Sequence, residues 1–546
     1  MNILRYWHTL RHLKLIQFFS RLWLIAYKPK IRSLGTPKIR NLSAHWLGSP
    51  KKIVSLFPSK SFEFFSKRYK LSDVSWHGES CDKLWQYNLH YFDDLNAIDA
   101  RSRKDDHYSL LEDWVNKNKS DSSIGWDPYP TSLRIVNWIK WSFSGNNLSK
   151  LLIQSLADQA NWLTRRMEFH LLGNHLFVNA KALIFAGLFF ESKESAHWLN
   201  YGSRILNQQL KEQILDDGGH FERSPMYHAL ILEDILDILN LFRCYSASLS
   251  KNSEAILLEK NLKLVVPKML DWLKATSHPD GDISFFNDAT FNIASKPKEI
   301  FKYAETLGFQ NEDIKSIWLK ESGYLSLLNK NVFFICDFAP IGPEYIPGHA
   351  HADTLSFELS LFNQRFIVNS GISTYENNKE RHRQRGTESH NTVTLDSKNS
   401  SDVWHSFRVA RRAYPNVKNI IFDRDFVTAE CSHNGYSHLK DGPIHSRFFQ
   451  LSDNKLILRD EISKSDFTAE ARIHFHPNVE IKFFNKNKGC FSLPDGKDIY
   501  CTIKDGEGRV ENSTWHPEFN KSIDNKCLVI NLNKLKCEFH LEWNSN

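Results

Sequence analysis

Two short histidine motifs lie about forty residues apart in the C-terminal half of the sequence. They are Gly-His-Ala-His-Ala-Asp at residues 348–353 and Ser-His-Asn-Thr at residues 389–392. Upstream lie Gly-Asn-His at 173–175 and Arg-Ser-Pro-Met-Tyr-His at 223–228. Histidine and tyrosine can transfer protons, an asparagine amide can bind an anionic group, and histidine is a common metal ligand. Together these motifs indicate a proton-transfer site beside a metal site.

The spacing of the first histidine motif suits a metal. On an extended strand His349 and His351 point to the same side, so both can bind one ion, or one can bind it while the other faces a substrate. His390 supplies a third point, and Asp353 or Asn369 could add an oxygen ligand. A cluster of hydrogen-bonded histidines without metal is the alternative interpretation.

The upstream motifs stand at predicted helix starts. Asn174 and His175 open a helix after Gly173, where side chains can project into a groove, although asparagine there is also a common helix cap. Tyr227 begins another helix after Pro225. A tyrosine at a helix start among charged residues and histidine is better suited to proton transfer than one within an apolar core.

Several common catalytic patterns are missing from the sequence. There is no His-Glu-x-x-His, no phosphate-binding Walker loop, no Gly-x-Ser-x-Gly elbow and no dinucleotide fingerprint. Their absence argues against the commonest hydrolase and nucleotide-binding classes.

Composition describes a large, packed protein. A chain of 546 residues is too long for one ordinary core, so we expect two or more domains. Hydrophobic residues make up 41% of the chain and aromatic residues 13%, which excludes intrinsic disorder. The eight cysteines include no Cys-x-x-Cys pair, and we interpret them as buried thiols of a reducing compartment.

The positive charge is concentrated at the N-terminus. Twelve Lys and Arg precede the first acidic residue, Glu63, so the net charge of +7 leaves −5 for the remaining 484 residues. A nucleic-acid partner is therefore not expected. Leu4, Trp7, Leu10 and Phe18 form an apolar helix stripe between basic residues, which we expect to pack on the body. Contact with an anionic membrane or a partner is the alternative.

Basic residues interrupt every apolar run of this segment, so no secretory signal is recognised. Together with the cysteine pattern, this favours a cytoplasmic or membrane-peripheral protein, with the periplasm as the alternative.

Hydrophobic periodicity divides the chain. Apolar residues recur every three or four positions from about residue 105 to 275, which predicts successive helical hairpins of an α/α toroid or solenoid. Beyond about residue 320 the pattern alternates or becomes β-branched and aromatic, which predicts an antiparallel β-sandwich. The predicted fold class is therefore α+β and multidomain. We divide the chain into a basic N-terminal segment (1–80), the toroid (81–315) and the sandwich (316–546).

With these motifs, the chain resembles the heparinase II/III-like polysaccharide lyases, a family that includes oligoalginate lyases. The resemblance covers about residues 80–530 and is sharpest at Tyr-Asn-Leu-His-Tyr-Phe (87–92) and at the four motifs above. Members of this family have an N-terminal α/α toroid and a C-terminal antiparallel β-sandwich, in agreement with the periodicity.

The resemblance implies β-elimination on a uronic-acid polysaccharide. This reaction neutralises the uronate carboxylate, removes the C5 proton and protonates the leaving C4 oxygen. By motif, Asn174 corresponds to the carboxylate neutraliser, helped by His175 or His349. Tyr227 corresponds to the acid, and for one C5 stereochemistry also to the base. For the other, His175 or His349 would be the base.

The resemblance also implies a structural divalent metal, most often zinc, with His351 and His390 as ligands. Asn369 stands where related lyases often have an aspartate ligand, and an amide oxygen binds zinc more weakly than a carboxylate. We further expect four residues to contact the acidic polysaccharide or oligosaccharide substrate: His90, Tyr91, Arg134 and Arg223.

The leading hypothesis is therefore a carbon–oxygen lyase that cleaves an acidic polysaccharide, with a role in surface-polysaccharide metabolism. One alternative is a non-catalytic glycan-binding protein of capsule or O-antigen assembly. Another is a metal-dependent hydrolase that uses His349, His351 and His390.

Overall fold

A computed structural model describes residues 3–78, 80–119, 123–310, 316–423 and 426–544. Most of its helices lie in the first 306 residues. The helices are α1 (Ile3–Leu10), α2 (Leu15–Ala26), α3 (Leu71–Val74), α4 (Lys83–Tyr91), α5 (Lys104–Lys117), α6 (Pro128–Phe143), α7 (Lys150–Leu163), α8 (Gly173–Phe189), α9 (Lys193–Gln213), α10 (Pro225–Cys244), α11 (Ser246–Leu249), α12 (Ser253–Ala275), α13 (Pro297–Thr306) and α14 (Lys379–Gln384).

Long helices of the first half pack around α8. Its residues are almost all apolar or small, and every one of them is buried except His175. A helix that is hydrophobic all round belongs in the centre of a helical domain, and α6, α7, α9 and α10 pack against α8. Consequently His175 is the side chain of α8 that reaches towards solvent.

Strands dominate the second half. The strands are β1 (Lys38–Ile39), β2 (Leu56–Phe57), β3 (Ser61–Phe64), β4 (Lys67–Lys70), β5 (Phe190–Glu191), β6 (Ser316–Leu319), β7 (Tyr324–Leu328), β8 (Val332–Asp337), β9 (Phe357–Leu361), β10 (Gln364–Ile367), β11 (Val393–Leu395), β12 (Val403–Trp404), β13 (Arg408–Val409), β14 (Pro415–Asp423), β15 (Phe426–His433), β16 (His445–Ser452), β17 (Lys455–Ile462), β18 (Ala469–His474), β19 (Glu480–Asn485), β20 (Lys488–Ser492), β21 (Asp498–Lys504), β22 (Gly506–Trp515), β23 (Ile523–Leu532) and β24 (Lys536–Trp543).

These strands form a sandwich of antiparallel sheets. One sheet has the order β14-β15-β16-β17-β24-β21-β20-β19. Two further sheets are β10-β9-β8-β7-β6 and β11-β18-β23-β22, which meet where Ile367 bridges Phe475, and β12 and β13 form a two-stranded sheet. Aromatic side chains fill the space between the layers: the Phe449 ring of β16 lies 5.3 Å from Phe334 and 5.5 Å from Phe357. The alternation of buried and less buried residues along β16 and β17 suits one core-facing side of a sheet.

Buried polar contacts join the helical half to the sandwich. Arg223, just before α10, donates to the carbonyl oxygens of Glu321 and Ser322 at 3.3 and 3.0 Å. The indole of Trp272 in α12 donates to the Ser322 hydroxyl at 2.8 Å. These contacts hold the start of α10 against the first strands of the sandwich. We propose that the domain boundaries lie near residues 80 and 315.

The N-terminal segment differs from the sequence-based expectation. It forms two helices, and their apolar residues Leu4, Trp7, Leu10 and Phe18 are 55 to 62% exposed. The expectation that this stripe packs on the body is therefore wrong. Among the described residues, no helix combines the length and the apolar character needed to cross a bilayer.

All eight cysteines are unpaired and buried, as expected for thiols that pack in a core. Burial raises the pKa of several of these thiols, for example Cys431 and Cys501, each to about 12. They are therefore protonated at neutral pH and unsuited to nucleophilic chemistry.

Candidate active site

Tyr227 lies in the first turn of α10, where the local sequence determines its position. The Ser224 side chain caps the helix by accepting a hydrogen bond from the Tyr227 backbone N–H at 3.2 Å, and Pro225 occupies the first helical position. The Tyr227 ring stacks on the His349 imidazole with centroids 4.0 Å apart and an interplanar angle of 14°. The fold thus brings together two candidate residues from different halves of the chain.

Glu222 orients His349. The Nδ1 atom of His349 makes a short hydrogen bond to one carboxylate oxygen of Glu222. Burial alone would raise the pKa of Glu222, but the charge and hydrogen bond of His349 lower it below its ordinary value. Because Nδ1 is engaged by a carboxylate, the Nε2 atom of His349 is left to act on a ligand.

The other oxygen of Glu222 lies close to the start of α8. A Cβ atom at Gly173 would lie 3.4 Å from Glu222 Oε1 and 3.1 Å from Ile346. Gly173 also has φ +56°, a left-handed conformation that favours glycine. The Gly173–His175 motif therefore lies directly beside Glu222 and His349.

Asn174 and His175 face this region with different partners. Asn174 is buried, and its Oδ1 acceptor has no hydrogen-bond partner among the described residues. The N–H groups of the same amide are the donors that could bind an anion. The Nδ1 of His175 lies 3.2 Å from Glu168 Oε1, and the His175 side chain is 30% exposed. Burial would lower the pKa of His175, but the charges of Glu168 and Glu222 raise it above its ordinary value. His175 therefore favours the cationic form.

Tyr227 is paired with a second tyrosine. Its hydroxyl lies 3.0 Å from that of Tyr375. Burial, with the nearby Tyr375 and Asp288, raises the pKa of Tyr227 well above its ordinary range. The phenol is therefore protonated without a ligand, which is the form that an acid needs. Tyr375 is held in turn by the Phe407 ring at 5.3 Å and by the Arg381 guanidinium at 5.1 Å.

A candidate metal site lies behind this pair. His351, Asp353 and His390 are buried, and one ligand atom from each lies within 4.8 Å of the others. The His351 Nδ1 and His390 Nε2 atoms face each other at 3.2 Å. Two imidazoles and a carboxylate are a donor set that zinc accepts. The residues present therefore fit a divalent metal.

A buried ion pair supports this group from behind. Asp288 accepts a hydrogen bond from His351 Nε2 at 2.8 Å. It also forms a two-point ion pair with Arg381, in which Arg381 Nη2 lies 2.7 Å from Asp288 Oδ2. A carboxylate on the far nitrogen of a metal-ligating histidine sets its tautomer and ring orientation. Because Arg381 also contacts Tyr375, the ion pair connects the candidate metal site to the tyrosine pair.

Comparison with known proteins decides the family. The description "Heparinase II/III N-terminus" matches residues 39–315, and "Heparinase II/III-like, C-terminal" matches residues 312–544. The chain belongs to the heparinase II/III family. It is 25% identical over 391 residues to a heparin-sulfate lyase of Pedobacter heparinus, which covers 64% of this chain and 57% of the relative. A heparin-sulfate lyase of Bacteroides stercoris is also 25% identical, over 57% of this chain and 50% of the relative. The chain thus spans little more than half the length of these curated relatives.

Solved structures share the fold of this heparinase II/III family member. A heparinase III structure superposes with TM-score 0.70 at 15% identity, over 97% of this chain and 89% of the other. A heparan sulfate lyase from Pedobacter heparinus superposes with TM-score 0.62 at 18% identity, over 89% and 82%. The predicted α/α toroid followed by an antiparallel β-sandwich is therefore confirmed.

Two expected substrate contacts lie in the interior of this family member. His90 is fully buried, with its ring between the Trp76 carbonyl oxygen at 2.9 Å and the Trp114 indole N–H at 2.9 Å. The fully buried Arg134 donates to Gln159 Oε1 at 2.8 Å and lies over the Trp114 ring. These two assignments are corrected: both residues support the helical core, because their polar atoms are already bonded within it.

Arg223 and Tyr91 have different positions. Arg223 is buried and donates to carbonyl oxygens at the junction of the two halves, so its assignment as a substrate contact is also corrected. The Tyr91 ring is buried 6.0 Å from the Tyr129 ring, which itself lies 4.7 Å from His175. Tyr91 therefore lies behind Tyr129, which is the residue in contact with the candidate site.

The third metal-binding position also requires correction. The Asn369 Oδ1 atom accepts hydrogen bonds from the backbone and side chain of Asn391 at 3.3 and 3.4 Å. The carboxylate grouped with the two histidines is that of Asp353. Asp353 belongs to the same Gly-His-Ala-His-Ala-Asp motif as His351, so the sequence already contained this candidate ligand.

Sequence analysis missed several residues of the site. Glu168, Glu222, Asp288 and Tyr375 contact the candidate residues, and Arg381 contacts Asp288 and Tyr375. Glu222 had a local signal, because it directly precedes the Arg-Ser-Pro-Met-Tyr-His motif. Of the other four, Arg381 lies in α14 and the rest lie in loops, and no spacing pattern links them to a site.

Proposed function

We propose that this protein is a polysaccharide lyase that cleaves an acidic, uronic-acid-containing glycan by β-elimination. The observation that carries the proposal is the Tyr227–His349 stack, with Glu222 bonded to His349 and with Asn174 and His175 beside it. These groups match the three requirements of the reaction: charge neutralisation, proton removal and proton donation. The heparin-sulfate lyase names of the two relatives support a glycosaminoglycan of the heparan type as the substrate class.

Asn174 and His175 are suited to bind the uronate carboxylate. The amide of Asn174 carries N–H donors, and the raised pKa of His175 favours its cationic form. Neutralising the carboxylate makes the C5 proton removable, because the negative charge that develops on proton loss spreads onto the carboxyl oxygens.

His349 and Tyr227 are suited to the proton transfers. With Nδ1 held by Glu222, the Nε2 of His349 can accept the C5 proton. The Tyr227 hydroxyl donates its proton to the C4 oxygen as the C4–O bond breaks and the C4=C5 double bond forms. When the C5 proton and the leaving oxygen lie on the same face, Tyr227 would serve as base and then as acid once its hydroxyl proton has been transferred to another group.

A metal bound by His351, Asp353 and His390 would act structurally, as a crosslink between the two loops that carry these residues. Its role is distinct from proton transfer, because His349 is held by Glu222 and lies outside the group of three.

Ultraviolet absorbance of the unsaturated product tests the proposal. The protein is incubated with heparan sulfate, alginate, hyaluronan and chondroitin, alongside Tyr227→Phe and the matched exposed control Tyr500→Phe. We expect absorbance to rise with one substrate. The rate of this rise should be about 10²- to 10⁴-fold lower with Tyr227→Phe and unchanged with Tyr500→Phe.

Other outcomes separate the alternatives. Binding of a glycan without any absorbance change would contradict catalysis and favour the glycan-binding protein. Cleavage into shorter chains without a double bond would indicate hydrolysis instead.

A further inference from the structure

The two N-terminal helices present a large apolar surface. Eleven apolar side chains between Ile3 and Ile25 are 45 to 76% exposed. They are Ile3, Leu4, Trp7, Leu10, Leu15, Ile16, Phe18, Phe19, Leu22, Trp23 and Ile25. So many exposed large apolar side chains within one short segment of a packed protein mark a binding face. We call these residues the N-terminal apolar face.

Helix α2 is attached to the body by its polar side. Its one buried residue is Gln17, which donates to the carbonyl oxygens of Leu171 and Tyr345 at 3.3 and 3.4 Å. Lys14, at its N-terminal end, forms an ion pair with Glu212 and lies 4.0 Å from the centre of the Tyr345 ring. An amphipathic helix normally buries its apolar side in the core, so this helix has the inverse orientation.

A hydrogen bond and an edge-to-face ring contact also hold α1 on the body of the protein. The Trp404 indole donates to the Thr9 hydroxyl at 3.2 Å, and the Tyr6 ring meets Trp404 at 5.1 Å. Just after α1, His12 lies 3.4 Å from the Glu344 carboxylate. These contacts fix both helices on the body while their apolar side chains point away from it.

The charge of the segment identifies the chemistry of its partner. Seven basic residues and no acidic residue lie between positions 3 and 32: Arg5, Arg11, Lys14, Arg21, Lys28, Lys30 and Arg32. Two tryptophans belong to the apolar face itself, and tryptophan prefers the boundary between lipid and water. Apolar residues, interfacial tryptophans and basic flanks together are the features of helices that lie in an anionic lipid surface.

We propose that the N-terminal apolar face binds the surface of an anionic phospholipid bilayer and makes this protein peripheral to a membrane. Helix α2 has 12 residues and is therefore about 18 Å long, too short to cross a hydrocarbon core of about 30 Å. It would lie in the interface with its apolar side chains among the upper acyl chains.

The position of α2 gives this attachment a consequence for the candidate site. Gln17 contacts Leu171 and Tyr345, which lie two and three residues before the Gly173–His175 and Gly348–Asp353 motifs. Membrane binding would therefore hold the mouth of the candidate active site near the bilayer, where glycans attached to lipid would be accessible.

Vesicle co-sedimentation of the full chain tests the proposal without any need for lyase activity. Phosphatidylcholine vesicles are compared with vesicles that also contain phosphatidylglycerol. We expect binding to the anionic vesicles only, weakened by added salt because screening shortens the reach of the charges.

Two double variants, each with a matched double control, separate the apolar and the electrostatic contributions to vesicle binding. Phe19→Ser with Trp23→Ser should weaken binding at least about tenfold, because large apolar side chains leave the lipid. Ile256→Ser with Leu264→Ser, on the exposed side of α12, is the matched control and should leave binding unchanged. Arg21→Gln with Lys28→Gln should weaken binding about fivefold per charge, whereas Lys298→Gln with Lys302→Gln on α13 should have no effect.

Four results would overturn the proposal. Equal binding to neutral and anionic vesicles would remove the requirement for anionic lipid, and equal loss of binding in the control variants would remove the role of this face. Absence of vesicle binding together with a dimer that Phe19→Ser and Trp23→Ser dissociates would assign the face to a second copy of the chain. A monomer that binds no vesicles would leave the face to a protein partner.

Discussion

The two histidines of the candidate site each contact a buried carboxylate, but they differ in how far they are exposed. Glu168 contacts His175, whose side chain is 30% exposed, and Glu222 contacts His349, whose side chain is 16% exposed under the Tyr227 ring. The charge of Glu168 is close to a histidine that can reach an anionic ligand. We therefore propose that His175 neutralises the carboxylate and that His349 removes the proton.

This assignment predicts a pH effect for Glu168→Gln. Glu168 and Glu222 raise the pKa of His175, whereas burial and Lys83 lower it. A raised pKa keeps His175 cationic to higher pH, so neutralisation is lost as the pH rises through that pKa. Removing the Glu168 charge should move the alkaline limb of the kcat/KM profile to lower pH.

Glu259→Gln on the surface of α12 is the matched control and should leave the profile in place. If Glu168→Gln lowers activity uniformly at every pH, His175 is not the group that sets the alkaline limb.

At the scale of elements, the loops around α14 depend on one buried ion pair. Asp288 lies before α13, and Arg381 lies in α14, yet both side chains are fully buried and joined at two points. Arg381 lies 5.1 Å from the centre of the Tyr375 ring, so the ion pair also supports the partner of Tyr227.

Asp288→Asn should therefore destabilise the protein by about 3–5 kcal/mol, because it leaves the Arg381 charge buried without its counter-charge. Chemical denaturation measures this change. Lys263→Ala, which breaks an exposed pair on α12, should leave the denaturation midpoint unchanged. A midpoint for Asp288→Asn that equals the control would contradict a structural role for the ion pair.

The candidate metal site brings together residues of two different loops. His351 and Asp353 lie in the loop before β9, and His390 lies in the loop before β11. Elemental analysis should find about one zinc per chain, and a chelator should lower the thermal midpoint, because a ligand that binds the folded state stabilises it by about 4 kcal/mol at a thousand times its Kd. His390→Ala should lose the metal, whereas His197→Ala on the exposed side of α9 should retain it. Purified protein without metal, and with a midpoint insensitive to the chelator, would identify a hydrogen-bonded polar cluster.

At the scale of the molecule, the candidate site depends on how the two halves meet. Tyr227 belongs to α10 of the helical half, whereas His349 and Tyr375 belong to loops of the second half. The guanidinium of Arg223 donates to two carbonyl oxygens of the second half, four residues from Tyr227. Small displacements between the halves should therefore separate groups that must act on one sugar.

Arg223→Met should lower kcat/KM by about 10- to 100-fold, as expected when reacting groups are displaced by about 1 Å. Circular dichroism should show little change in helix content. Arg204→Met, on the exposed side of α9, is the control and should keep full activity. Full activity of Arg223→Met would show that other contacts alone align the halves.

The long helices could be predicted because their signal is local. Within residues 105–275, where the apolar spacing predicted helical hairpins, the structure forms long helices such as α8 and α12. The bounds of the strands were harder to predict. Beyond about residue 320 the pattern predicted strands in general but not where each one begins and ends, since exposed strands such as β19 bury few side chains. The short sheet of β2, β3 and β4 in the N-terminal segment was also missed.

The sequence by itself determined the α/α-plus-β-sandwich class, the family resemblance and the motifs that hold Asn174, His175, Tyr227, His349 and His351. Each of these depends on short-range spacing, which a reader of the sequence can see. Only the tertiary structure decided that His90, Arg134 and Arg223 are internal and that Glu168, Glu222, Asp288 and Tyr375 join the site. It also decided that α2 exposes its apolar side, because burial and hydrogen bonding depend on which distant segments meet, and no local pattern encodes that.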